Sequence, residues 1–159
     1  MTPAEVLKLA QKQLAAMERA TKAVVKVGLP ESEAATSKAY KSDGDKSAPT
    51  VLEVGIWHEY GTQFVPMRSF IRAPFIEKQA DLKKIIDGQF KLVLEKGLDV
   101  EVALGRVGLA ARNISVGAFK TQSYGTWPDI AQSTKDAKGS SGILIDTGLL
   151  RNSITWVVE

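Results

Sequence analysis

Few residues in this chain have the chemistry to do catalysis. Its single histidine, His58, stands beside Glu59. A His-Glu pair opens the helical zinc-protease motif, which needs a second histidine four residues after the first so that both rings share one helix face. Position 62 is Thr62, and there is no other histidine. A lone histidine with scattered carboxylates makes a poor zinc site. It reads instead as a packed or interfacial residue bonded to a neighbouring carboxylate. A general-base role would need a nucleophile and an orienting partner, and the sequence nominates neither. The second candidate is Ile143-Leu144-Ile145-Asp146-Thr147-Gly148. Apolar residues before Asp-Thr-Gly are how a dimeric aspartic protease presents one carboxylate of a proton-sharing pair. Such an enzyme needs a further apolar strand after the motif, and only 11 residues follow Gly148. The plainer reading is a helix cap, with a side-chain oxygen of Asp146 or Thr147 accepting from backbone N–H groups.

Composition closes other routes. There is no cysteine among the 159 residues, which excludes disulfides, thiolate metal sites and a cysteine nucleophile. Neither a GxGxxG fingerprint nor a Gly-Lys-Ser/Thr phosphate loop is present. Net charge is +3, but basic and acidic residues interleave. Lys78, Lys83, Lys84, Lys91 and Lys96 share a helix with Glu77, Asp81, Asp87 and Glu95, the pattern of a solvated face. The chain therefore reads as no enzyme, with no cofactor and no metal. A small hydrolase using His58 or Asp146 is the alternative, as is a DNA-contacting protein. No apolar run approaches the roughly 18 residues that span a bilayer, and the N-terminus lacks a signal-peptide layout. The expectation is a soluble chain made in a cytoplasm.

The elements that would position these residues follow from periodicity. Thr2-Pro3-Ala4-Glu5 is a helix start, with a capping threonine, a first-turn proline and Glu5 three residues on. Val6, Ala10, Leu14, Met17 and Thr21 continue it at helical spacing. Val24 to Val27 reads as a strand. Residues 31–49 are polar and read as a flexible loop. Thr50 to Ile56 reads as a second strand, and a hairpin is the simplest pairing. Ile56 to Arg72 then becomes a strand-to-helix junction. Phe70 to about Lys96 reads as one helix ended by Gly97, and Leu104 to Ala118 as another. Ile143–Ile145 is a short extended run, and Ile154–Val158 a last strand. The order predicts an α+β fold in one domain over 1–159. A small, mostly antiparallel sheet packs on an N-terminal helix and two long central helices, with a strand at the C-terminus.

Bulky and cationic residues crowd the junctions. Trp57, His58, Tyr60, Gly61, Pro66, Arg68, Phe70, Arg72, Trp127, Asp146, Thr147, Gly148 and Arg151 are the candidate assembly residues. Aromatics and arginine are the types enriched at interfaces. Ordinary core packing is the competing reading, evenly balanced for Phe70. The arginines beside apolar anchors favour pairing with carboxylates, within or between chains.

Three blocks in this order resemble a protein family. They are Ile56-Trp57-His58-Glu59-Tyr60-Gly61, then Val65-Pro66-Met67-Arg68-Ser69-Phe70-Ile71-Arg72 with Pro74-Phe75, and finally Leu144 to Ile154 around Asp-Thr-Gly-Leu-Leu-Arg-Asn-Ser. Trp127-Pro128 lies between the last two, and Ser69 stands where proline is common in the family. These blocks are similar to the neck or tail-completion proteins of tailed bacteriophages, also called head–tail joining or virion morphogenesis proteins. The resemblance covers roughly residues 50–158. It implies a non-catalytic structural protein of the virion, made in the bacterial host cytoplasm and placed at the head–tail junction. It further implies a homo-oligomeric ring, six-fold in preference to twelve-fold, that completes the tail. Its neighbours would be the head–tail connector and tail-terminator or tail-tube proteins, with passing contact to DNA and none to a membrane.

Overall fold

The computed structural model describes residues 1–30, 49–139, 142–145 and 148–159. The polar loop expected at 31–49 therefore falls almost wholly outside the described residues. The chain divides into two compact units, each built around its own buried residues.

The first unit comprises Met1–Val27, Gln79–Ala111 and Trp156–Glu159. Helix α1, Pro3–Lys22, starts as its sequence predicts. Thr2 Oγ1 accepts from the Glu5 N–H at 3.3 Å, and Glu5 returns a bond to the Thr2 N–H at 2.6 Å. This reciprocal cap satisfies two of the donors that a helix start leaves unpaired. α1 rests on helix α4, Gln79–Lys96, where the Gln13 amide donates to the Leu94 carbonyl. Gly97 ends α4 with φ at +67°. Two residues later Asp99 caps the next helix by accepting from the N–H groups of Glu101 and Val102. That helix, α5, runs Val100–Gly125 and contributes Val100–Ala111 to this unit. Val93, Ala103, Leu104, Val107 and Ala111 form the buried apolar set.

The sheet corrects the predicted hairpin. Strand β1, Val25–Gly28, pairs with β2, Thr155–Val158, from the other end of the chain. Val24 and Glu159 exchange both backbone hydrogen bonds at 2.9 Å, which sets an antiparallel register. The α+β class stands, with two strands in the sheet among the described residues. The predicted strand over Thr50 to Ile56 does not form, because Val51–Tyr60 is a helix that Thr50 caps. Trp156 lies across α5 where Gly105 and Gly108 leave the helix without side chains. A Cβ on Gly108 would sit 2.5 Å from the indole ring.

The second unit comprises Gly28–Lys78 and Arg112–Thr155. Helix α2 is Val51–Tyr60, with Thr50 and Glu53 forming a second capping box. Val51, Val54, Gly55 and Glu59 are its buried residues, a spacing of three and four that defines one helix face. The predicted 70–96 helix is two: α3, Arg72–Glu77, and α4, separated at Lys78. Pro74 sits in the first turn of α3, where its missing N–H breaks no helical bond. The last turn of α5 carries positive φ at Gln122, Ser123 and Gly125. Helix α6 spans Gln132–Lys138. Helix α7, Leu149–Asn152, follows Gly148 and packs on α2. Ile143–Ile145 is a turn rather than an extended run, with Leu144 at φ +57° and buried.

The indole over α5 sets a stability test. Gly108→Ala should cost about 1–3 kcal/mol, the usual range for overpacking, in urea unfolding followed by tryptophan fluorescence. Gly88→Ala, on α4 with nothing near its would-be Cβ, should be neutral or stabilise by up to about 1 kcal/mol from helix propensity. Equal effects at the two positions would show that Trp156 is not held against this helix.

Candidate functional site

Ser69, Phe70, Ile71 and Arg72 converge on one carboxylate, that of Glu59. Glu59 leaves the last turn of α2 on its buried face and is 5% exposed. Its Oε1 accepts from the Ser69 hydroxyl at 2.8 Å, the Arg72 N–H at 3.0 Å and Arg72 Nε at 3.1 Å. Its Oε2 accepts from the N–H groups of Phe70 at 2.8 Å and Ile71 at 3.0 Å. α3 has no capping side chain at its own N-cap, Ile71. Glu59 supplies the cap from a different helix, placing a negative charge where the N–H groups and macrodipole of α3 favour one.

Each neighbour of the carboxylate is tied in turn. Ser69 Oγ also accepts from the Ala73 N–H, so Ser69 gives this loop two side-chain bonds. The Ser69 carbonyl accepts from Trp127 Nε1 at 2.9 Å. The Phe70 carbonyl accepts from Ser115 on α5 at 2.7 Å. Phe70, Phe119 and Trp127 meet in sequence, the first pair tilted at 53° and the second edge-on at 89°, with ring centroids 5.4 and 5.6 Å apart. Arg68 is 5% exposed. Its N–H donates to the His58 carbonyl, and its guanidinium donates to the carbonyls of Pro128 and Asp129 at 2.9 Å each.

Electrostatics follow from this geometry. Burial pushes the Glu59 carboxyl up. The N–H groups of Arg72, Ile71 and Phe70, together with the Ser69 hydroxyl, outweigh burial and hold it below the ordinary carboxylate value. At Asp129, the Lys135 ammonium at 2.6 Å and the Ile130 N–H hold the carboxyl down.

The predicted site residues separate by location. Arg68, Phe70 and Trp127 are interior, and Gly148 is buried at the start of α7. Arg72 pairs with a carboxylate as expected, through Glu59, and lies over the Tyr60 ring at 4.6 Å. Arg68 donates to backbone carbonyls, with the Asp129 carboxylate near enough to act on its charge, and Arg151 bonds the Asn152 side chain. Gly61 ends α2 at φ +76°, and a Cβ there would crowd Met67. His58 is half-buried and lines an open cleft of about 440 Å³ with Phe64, Pro66, Arg68, Thr134 and Leu144. Trp57, Tyr60, Pro66 and Arg72 are exposed. Asp146 and Thr147 lie outside the described residues. Among the described residues no cluster of His, Asp and Glu could hold a metal ion, and no helix is long and apolar enough to cross a membrane.

Glu59 was missed as a site residue because the pair His58-Glu59 directs attention to the imidazole. The signal that could have found it is helical phase. Val51, Val54, Gly55 and Glu59 share a face once Thr50-Val51-Leu52-Glu53 is recognised as a capping box. No family model, no curated protein and no solved structure matches the chain.

Replacing Glu59 gives a pH-dependent test. Glu59→Gln should cost on the order of 3 kcal/mol at neutral pH, because its amide N–H₂ faces backbone donors. The folded carboxyl titrates lower than the unfolded one, so its contribution is complete above the ordinary value of about 4.5 and is lost as pH falls through the lower folded value. Unfolding curves should show the gap between wild type and Glu59→Gln shrinking on acidification. A gap that stays constant into that range would sink this assignment.

Proposed function

We propose that the chain is a structural protein of a tailed-bacteriophage virion, acting at the head–tail junction as a subunit of a homo-oligomeric ring. The observation that carries this reading is the role of Glu59. The first two blocks of the resemblance become one physical unit through it, and Trp127 joins them through Ser69. Glu59, Ser69 and Arg68 are tied to backbone and side-chain groups inside the second unit. They brace a surface instead of presenting a reacting atom.

That surface has the composition of an interface. Phe64 is 84% exposed and Ile76 77%, with Tyr60, Met67, Ile56 and Trp57 also open. The Arg72 guanidinium lies among them, stacked on Tyr60. Exposed aromatics beside arginine, on a loop held rigid from behind, are the anchors that association uses. A head-to-tail ring needs one such surface to meet a different surface of the next subunit. Arg68, Phe70 and Trp127 shape this face from within, while Tyr60, Phe64 and Arg72 touch the neighbour.

Two measurements check the reading. Particles purified from the phage that carries this gene should contain the chain, and side-chain-resolved imaging should place it in a ring at the neck. Its absence from the particle, or a location in capsid or fibre, would overturn the proposal. Phe64→Asp and Tyr60→Ala should leave the melting temperature within about 2 °C of wild type, as exposed substitutions do, yet reduce incorporation into particles at least tenfold. Normal incorporation of both variants would remove this face from the assembly.

A further inference from the structure

The first unit carries an apolar surface of its own. α1 has no buried residue. Its half-buried positions, Gln13, Ala16, Arg19 and Ala20, mark the side toward its own unit, where Gln13 bonds α4 and Arg19 bonds Glu101 at 2.7 Å. A second stripe stays open: Leu7, Ala10, Leu14, Met17 and Thr21. Leu7 is 61% exposed, Leu14 59% and Met17 49%. Their spacing is three, four, three, four. That is the seam of a coiled coil, in which each knob enters a hole on a partner helix. A soluble surface helix normally turns such a stripe inward.

We infer that α1 pairs antiparallel with α1 of a second copy of this chain. The helix is suited to pair with itself. With the seam as positions a and d, the antiparallel register sets Leu7 opposite Met17 of the second copy and Ala10 opposite its Leu14. Each small residue then faces a large one, and the two-fold axis repeats both layers. The charged residues fall off the seam. Glu18 of one helix comes within reach of Lys8 of the other on the open flank, again twice. The opposed helix dipoles favour this orientation. A parallel pairing would set Ala10 against Ala10 and leave a gap. Beside Met17 and Thr21, the α1–α4 groove of about 390 Å³ is walled by Phe90 and Leu94, so the Leu7 knob of the second copy seats on apolar side chains. A two-fold contact is self-complementary and closes on itself. It belongs to the free chain and uses a different unit from the Tyr60–Arg72 face.

Sedimentation velocity of the purified full chain tests the pairing. Wild type is expected at twice the 17.2 kDa chain mass at micromolar concentration, and Leu14→Glu at the single mass with an unchanged circular dichroism spectrum. The chain has no native cysteine, so single cysteines report orientation. Gln11→Cys should cross-link to itself through a short bis-maleimide, and Leu7→Cys should not. A monomeric wild type overturns the inference, including one that instead sediments with anionic phosphatidylglycerol vesicles. So does a Leu14→Glu variant that keeps the wild-type mass, even if that mass is a ring, and so does self-linking by Leu7→Cys in place of Gln11→Cys.

Discussion

A buried carboxylate must either be satisfied or be neutralised, and Glu59 is satisfied by five donors from four consecutive residues. That requirement dictates the path of the chain after α2. Residues Ser69 to Arg72 have to wrap around the carboxyl oxygens, with the Ser69 hydroxyl and the N–H groups of Phe70, Ile71 and Arg72 pointing inward. Once they do, α3 begins with its first donors already bonded, and Phe70 is delivered to the core. Gly61 and Pro66 make the intervening loop short and stiff. The cost of taking a charge out of water is large, so the arrangement holds only while every donor is present. This is why a hydroxyl at position 69 and the arginine at position 72 matter together.

The same web explains how buried and exposed residues divide the labour. Arg68 locks the loop at Pro128 and Asp129 through bonds to backbone carbonyls, a use that suits the fixed fork of its guanidinium. Trp127 reaches Ser69, and Ser115 reaches Phe70, so α5 and the loop after it are fastened to the same short segment. What is left outside is a rim of Tyr60, Phe64, Met67, Arg72 and Ile76. Side chains mounted on a braced loop lose little further freedom when they bind, which is the condition for efficient recognition. The reading as a ring subunit at a head–tail junction draws on this division, together with the resemblance of the sequence blocks.

The first unit works by a different economy. Its interior is made of small and medium side chains, and an indole lies on the bare backbone of two glycines. Two four-residue strands are marginal by themselves, and that contact supplies packing the strands lack. Its first helix is capped and long, yet keeps an apolar seam in the open.

Local chemistry was legible in the amino-acid order. Thr2, Pro3 and Glu5 announce α1, Gly97 and Asp99 mark the junction of α4 and α5, and the absence of cysteine removes whole classes of mechanism. β1 and β2 were visible as strands, but their pairing was not, because hydrogen-bond partners from opposite ends of a chain leave no local trace. Thr50 to Ile56 reads as a strand for a related reason. Val51, Val54 and Ile56 have strand-like side chains, while the helix is stabilised by a capping box and by packing against α7, which lies far away in sequence. Glu59 shows the limit most directly. Residue type and neighbours made it look like half of a metal site. Only the fold, by bringing five backbone and side-chain donors to a carboxylate that is 5% exposed, decided that it is the fastening of a loop.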